Sequence, residues 1–250
     1  MSRIGTLVYS FVCYVVFLVV FVYAIGFIDG FMTPTSLDGA PTRPLGQAVA
    51  IDLALLAGFA VQHSGMARPA FKRWWTRIVP EAAERSTYVL VSSLLMIVLF
   101  VLWQPIGGVV WDVGAGLGRH IVIGVYLFGW VLLLYSTCLI DHFDLFGLKQ
   151  GWRRLTGKTY RPPQFYTPSL YKVVRHPLYI GWLVIFWAAP VMTAAHLLFA
   201  LMTTAYILVA IQLEERDLVS AFGDQYVQYR RRTPMLIPRI GSAARRTAQS

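Results

Sequence analysis

Residues 7–28 read LVYSFVCYVVFLVVFVYAIGFI, 22 in a row without one charged side chain. At about 1.5 Å per residue, a helix over this run matches the ~30 Å hydrocarbon thickness of a bilayer. The run is too long for the apolar region of a secretory leader, and only Arg3 precedes it, so it reads as a retained first span. Three similar runs follow: residues 47–63, interrupted by Asp52; residues 86–111, ending at Pro105-Ile106-Gly107-Gly108; and residues 121–140. The last uncharged run, residues 179–213, is 35 long, more than one crossing needs and slightly short of two. Pro190 and the stretch Met192-Thr193-Ala194-Ala195-His196 predict a helix-loop-helix hairpin there. The fold expected is an all-α polytopic bundle of four transmembrane spans plus a C-terminal helical hairpin, five to six membrane helices in all.

Composition agrees: of 250 residues, 57% are hydrophobic and only 14% charged, too little charged surface for a soluble domain of this length. The net charge of +10 is confined to blocks between the apolar runs. Residues 64–85 carry Arg68, Lys72, Arg73, Arg77 and Arg85 against two glutamates, and residues 141–175 carry seven basic residues against two aspartates. The tail from Arg216 onward is basic as well, whereas residues 29–46 and 112–120 hold one arginine each. A positive-inside bias then predicts a bacterial inner-membrane protein with both termini and both basic loops in the cytoplasm. Membrane topology accounts for the charge, and no basic stripe or base-stacking module indicates nucleic acid. Cys13 and Cys138 lie inside apolar runs as packing residues, and the five histidines form no HExxH or HxxxH pattern, so no metal site is expected.

Chemistry concentrates at the borders of the last run. In Tyr171-Lys172-Val173-Val174-Arg175-His176-Pro177-Leu178-Tyr179-Ile180-Gly181, Pro177 suits the first turn of a helix and leaves His176 just outside it. The free N–H groups of that helix end are able to hold a polar or anionic ligand group. At the other border stands Glu214-Glu215-Arg216-Asp217. Acidic side chains at the C-terminal end of an apolar helix oppose the macrodipole and are costly near lipid, so they call for a partner: a cationic ligand or Arg175.

Taken in order, these elements resemble the isoprenylcysteine carboxyl methyltransferase and phospholipid methyltransferase superfamily. R-H-P-x-Y-x-G, a hydrophobic hairpin, E-E-R, G-x-x-Y-x-x-Y and a short P-x-x-x-P tail all occur between residues 171 and 238. The resemblance implies S-adenosylmethionine bound between the hairpin and a short cytosolic tail, with Arg175, His176, Tyr179, Gly181, Glu214 and Glu215 at the motif positions. A carboxylate pair suits ribose hydroxyls or an ammonium, and aromatic faces suit a sulfonium and an adenine.

The N-terminal half narrows the family. Phe59-Ala60-Val61-Gln62-His63-Ser64-Gly65-Met66-Ala67-Arg68-Pro69 looks like the segment shared by NnrU-type membrane proteins and methanethiol S-methyltransferases. Glu84-Arg85-Ser86-Thr87-Tyr88 and Asp141-His142-Phe143-Asp144-Leu145-Phe146-Gly147 resemble the latter group. This resemblance implies methyl transfer to a small volatile thiol, methanethiol to dimethyl sulfide, within the lipid bilayer. His63 and His142 are then candidates for thiol activation, with Tyr88 as an orienting group. Residues 1–140 would supply four helices and the loop 64–85, and residues 141–250 the cofactor-binding core. The alternatives are a lipid amine or prenylcysteine carboxylate as acceptor, or a non-enzymatic accessory protein of the NnrU type.

Overall fold

The computed structural model describes residues 1–160 and 164–238; Arg161 of the second basic loop and Arg239, Arg245 and Arg246 of the tail lie outside them. Ten helices follow in order: α1 (Arg3–Asp29), α2 (Leu45–Ala67), α3 (Pro69–Trp75), α4 (Glu81–Leu102), α5 (Leu117–Leu139), α6 (His142–Leu145), α7 (Leu148–Leu155), α8 (Pro177–Trp187), α9 (Ala194–Phe222) and α10 (Asp224–Arg232). Two short strands, β1 (Val109–Asp112) and β2 (Val191–Thr193), interrupt them. Five helices, α1, α2, α4, α5 and α9, are long and apolar enough to cross a membrane, and α8 is a shorter apolar helix of 11 residues. The chain is an all-α polytopic membrane protein.

The hairpin expected over residues 179–213 is present as α8 and α9, but its arms are unequal. At 1.5 Å per residue α8 rises only about 16 Å, about half the hydrocarbon thickness. By contrast α9 has 29 residues, about 43 Å, so it outruns the bilayer by roughly two turns. That length corrects one expectation. The uncharged run stops at Leu213, yet the helix continues to Phe222, where Gly223 with φ +55° ends it. Glu214 and Glu215 therefore lie on the face of a continuing helix and do not confront its C-terminal dipole.

The third run also divides differently. Helix α4 starts at Glu81, with Glu81 and Glu84 in the first turn where the helix dipole favours acids, and stops at Leu102. Gly107 and Gly108, both with positive φ, turn the chain into β1. This strand pairs antiparallel with β2, Val109 opposite Thr193 and Asp112 opposite Val191. The turn of the hairpin is thus tied to the α4–α5 connection, and Trp111 Nε1 adds a hydrogen bond to the Ala189 carbonyl at 3.1 Å.

The connections sort to two ends. Residues 30–44, 103–116 and 188–193 share one: the Thr193 hydroxyl donates to Asp38, and Trp103 Nε1 donates to the Leu37 carbonyl at 3.2 Å. Asp52, which interrupts the second run, is fully buried; one oxygen accepts from the Gln104 N–H at 2.8 Å and the other meets no partner among the described residues. The other end gathers the N-terminus, α3, α6, α7 and α10; Arg154 reaches the Met1 carbonyl at 3.1 Å.

Helices α5 and α8 form the most extensive helix pair. They approach closely through two glycines. A Cβ on Gly129 would lie 2.9 Å from Ile185 Cγ1, and one on Gly181 would lie 2.9 Å from the Leu133 backbone nitrogen. Small residues at such contacts let membrane helices pack backbone to backbone. Gly181→Ala is expected to destabilise the bundle by about 1–3 kcal/mol, as overpacking does, whereas Gly124→Ala, with nothing within 4 Å, should be neutral. Thermal melting of the two variants in detergent checks the contrast.

Candidate active site

Pro177 opens α8 at its first position, where no N–H is needed, and His176 stands outside it as the N-terminal flanking residue. This turn is held from the tail. The Arg175 N–H donates to the Pro234 carbonyl at 2.9 Å and the His176 N–H to that of Met235 at 3.2 Å. Arg175 Nη1 adds hydrogen bonds to the carbonyls of Thr233 at 2.7 Å and Arg230 at 3.1 Å.

Beneath this turn lies Glu215, only 3% exposed. One oxygen accepts from Arg175 Nε at 2.6 Å and from His176 Nε2 at 3.0 Å; the other meets Arg230 Nε at 3.1 Å. A buried carboxylate is tolerable only when paired and hydrogen-bonded like this. The partner that Glu215 calls for in the sequence is Arg175, joined by a histidine and a second arginine. Its oxygens are fully engaged by the protein, so it clamps three chain segments together.

Its neighbour differs. Glu214 is half-buried, and one of its oxygens accepts from the Tyr179 hydroxyl at 3.0 Å. Among the described residues its second oxygen accepts no side-chain hydrogen bond. Tyr179 follows His176 by three residues, so both project from one face of α8, their rings 5.6 Å apart. Around the tail, Phe165 contacts Phe222, Tyr226 and Tyr229, and the Tyr229 hydroxyl donates to the Tyr171 carbonyl. Burial pushes the Tyr229 phenol up to about 12 and raises Tyr171 and Tyr226 as well. These rings stay neutral phenols at ordinary pH and present π faces rather than charges.

Gly181 does not belong with this polar group. Its missing side chain is filled by Leu133 of α5, so it is a helix-packing residue.

A second polar cluster lies between α2, α4 and α9. The Tyr88 hydroxyl is 2.9 Å from His63 Nε2, the Ser92 hydroxyl is 3.2 Å from His63 Nδ1, and Phe59 stacks on the imidazole with centroids 5.1 Å apart. Ser92 also donates to Gln62 at 3.3 Å. Two links join this cluster to the helix that carries Glu214: Ser64 to the Tyr206 hydroxyl at 3.1 Å, and Arg68 to Asp217 at 2.7 Å. Tyr206 precedes Glu214 by eight residues, about 12 Å of helix rise. One side of α9 therefore presents Tyr206 at the histidine cluster and Glu214 at the tail.

His142 makes no hydrogen bond to that cluster, although Phe146, its ring 4.7 Å from the imidazole, packs against the group that contains Tyr88. Its Nε2 faces the Tyr14 hydroxyl at 2.8 Å and its Nδ1 the Thr137 hydroxyl at 2.9 Å. Both nitrogens are engaged, as are those of His63, and neither reaches His63 or Tyr88. Burial lowers its pKa despite the carboxylate of Asp141 nearby, so the ring is a neutral tie between α1 and α5. Asp141 itself adopts the left-handed conformation, φ +79°, and caps α6 by accepting from the Asp144 N–H. Asn and Asp adopt such positive φ more readily than most other side chains.

Sequence reasoning does not single out Tyr206, Ser92, Gln62 or Arg230 as site residues. The first three are polar residues in apolar runs, and their positions in those runs are the available signal. Arg230 is one of three consecutive arginines, and nothing in the sequence separates it from Arg231 and Arg232. Among the described residues no group of three or more His, Cys, Asp or Glu side chains could hold a metal ion.

A helical membrane bundle with a polar cluster around His63 beside a clamped, aromatic-lined tail defines an integral membrane protein with a candidate active site. Its relatives specify which. Methanethiol S-methyltransferase 2 of Bradyrhizobium diazoefficiens is 53% identical over 247 residues, covering 98% of this chain and 94% of the relative. The methanethiol S-methyltransferases of Crocosphaera subtropica and Mycobacterium tuberculosis are 52% and 50% identical over 96% and 95% of this chain, and 94% and 98% of their own lengths. No family model matches the chain, and no solved structure matches it. The chain belongs to the methanethiol S-methyltransferase family and is a methyltransferase.

Proposed function

We propose that this enzyme transfers the methyl group of S-adenosylmethionine to methanethiol or a similar small thiol, releasing dimethyl sulfide and S-adenosylhomocysteine. The observation that carries the reading is the pair of polar clusters along α9, one around His63 and Tyr88, the other around Glu214 and Tyr179.

The tail cluster fits such a cofactor. Glu214 has an uncommitted carboxylate oxygen for a ribose hydroxyl or ammonium, and Tyr171, Tyr179, Tyr226 and Tyr229 offer neutral rings to a cation. Arg175, His176 and Glu215 act behind them by fixing the tail. Bound there, S-adenosylmethionine supplies an electrophilic methyl on a sulfonium, whose C–S bond breaks as the new S–C bond forms. His63 takes the proton from the thiol as its general base. Tyr88 and Ser92 hold the imidazole in register, and Phe59 covers its face. The apolar surroundings keep competing water from the thiol sulfur. His142 contributes by anchoring α6 rather than by proton transfer. Residues 141–238 thus form the cofactor-binding core, and the helices of residues 1–140 supply the acceptor side.

The test uses the purified full-length chain. Calorimetry should detect S-adenosylmethionine binding, and headspace gas analysis should detect dimethyl sulfide only with methanethiol present. Methylation of a lipid amine or a prenylcysteine in its place would move the acceptor to another class, and an absence of cofactor binding would sink the reading. The cofactor face also requires both termini in the cytoplasm. Reporter fusions after Arg77 and Lys158 are expected to report cytoplasm, and those after Asp38 and Asp112 the opposite side.

A further inference from the structure

Residues 84–88 and 141–147 meet at a side chain without a role so far, Arg85. Arg85 stands in the first turns of α4, three residues before Tyr88 and hence on the same face. Its Nε donates to the Leu145 carbonyl at 2.6 Å, and its guanidinium carbon lies 4.8 Å from the centroid of the Tyr88 ring. The turn that offers this carbonyl is itself locked. Gly147, at φ +89°, lies so close to α4 that a Cβ would come within 2.5 Å of Ser86 Oγ. Ser86 donates to Ser10 at 2.9 Å, and Asp144 accepts from the Tyr160 hydroxyl at 3.0 Å.

The charge so held has no direct ion-pair partner, though Asp144 of α6 attracts it from farther off. Arg68 pairs with Asp217, Lys149 with Asp141, and Arg175 and Arg230 with Glu215, whereas among the described residues no carboxylate comes within ion-pair distance of Arg85. What its cation meets is the π face of Tyr88, whose hydroxyl touches His63.

We propose that Arg85 is a positioning residue for the acceptor: a fixed cation, held over Tyr88 by the α6 turn, that favours the thiolate form of a thiol bound at His63. This rests on the reading that the His63–Tyr88 cluster receives the thiol. Other charged or titratable groups face the same region: Tyr206, Glu214 and the paired Asp217 from α9, Arg68 and His63 from α2, Lys72 from α3, Glu84 from α4, Asp144 from α6 and Tyr160 after α7; Asp144, like Glu214, opposes Arg85. The Glu214 carboxylate opposes Arg85, and Lys72, held below its ordinary value by burial and then by Arg85, adds to it. At a separation of about 10 Å in a medium of effective dielectric 20–40, one such cation lowers a thiol's pKa by about half to one pH unit.

The sign follows. Below the thiol's pKa, losing the cation cuts the thiolate fraction about 3–10-fold; above it, both proteins hold the thiolate and the difference vanishes. For Arg85→Gln, the ratio of wild-type to variant kcat/KM for methanethiol should fall from about 3–10 at pH 6.5 toward 1 at high pH. Arg85→Lys, which keeps the charge and loses the fit to Leu145, should restore most of the low-pH rate. S-Adenosylmethionine affinity, read by calorimetry, should be unchanged in both. Where the glutamine variant fails to fold, Arg85→Met, with the stem and no charge, gives the same comparison. A deficit that is constant across pH and shared by the lysine variant overturns the proposal, leaving Arg85 as a tie between α4 and α6. Should His63→Gln keep full turnover, the acceptor-site reading fails instead, independently of Arg85.

Discussion

His63→Ala is expected to lower turnover about 10²–10⁴-fold near neutral pH, the usual contribution of a positioned general base, with cofactor affinity nearly unchanged. The deficit should narrow as pH rises, because a free thiol, with a pKa of about 8.5 or above, then ionises without help. The bland role for this residue is different in kind. If His63 only ties α2 to α4 through Tyr88 and Ser92, its loss lowers yield and melting temperature and leaves turnover per folded molecule intact. Dimethyl sulfide formation from pH 6.5 to 9.5, a range that roughly brackets the imidazole and thiol values, normalised to bound cofactor, separates the two. Equal normalised rates throughout would remove His63 from the site.

The adjacent glutamates should behave unlike each other despite sharing a motif. Glu215→Ala leaves Arg175, His176 and Arg230 facing one another with no carboxylate between them. Breaking a buried ion cluster in this way costs about 3–5 kcal/mol. Because the same residues hold the tail to α8, limited trypsin digestion should cut at Arg230–Arg232 far faster than in wild type, and cofactor binding should be lost with it. Glu214→Gln removes one charged acceptor without disturbing the clamp. Its tail should stay protected, while S-adenosylmethionine affinity drops about 10–100-fold, the worth of a hydrogen bond to a charged group. Equal proteolysis of the two variants would refute this division of labour.

Much of the fold is legible because lipid imposes a simple rule: a long run without charge must be helical. Residues 7–28 and 121–140 announce α1 and α5 in that way. The rule reads solvent, not helix, and it fails where the two part company. It ends the last helix at Leu213, although α9 continues to Phe222, and past the Pro105–Gly108 end of the third span it gives no sign that Val109, Val110 and Trp111 form a strand. The site divides similarly. That Glu215 needs a cationic partner is legible from the cost of an unpaired carboxylate, and Arg175 is that partner. Side-chain chemistry alone makes His142 a companion of His63. The direction of its side chain depends on the left-handed Asp141 before it, and no periodicity reveals that turn.

The overrun of α9 also has a consequence for how substrate is counted. On the proposed function, Tyr206 within the uncharged run would sit at hydrocarbon depth and Glu214 just past it, so that acceptor and donor would be drawn from two phases. A small apolar thiol partitions into lipid, and the local concentration there, rather than the dissolved one, sets occupancy. A KM expressed per volume of water should therefore vary with the lipid-to-water ratio of the assay, and the corresponding value for the cofactor should not.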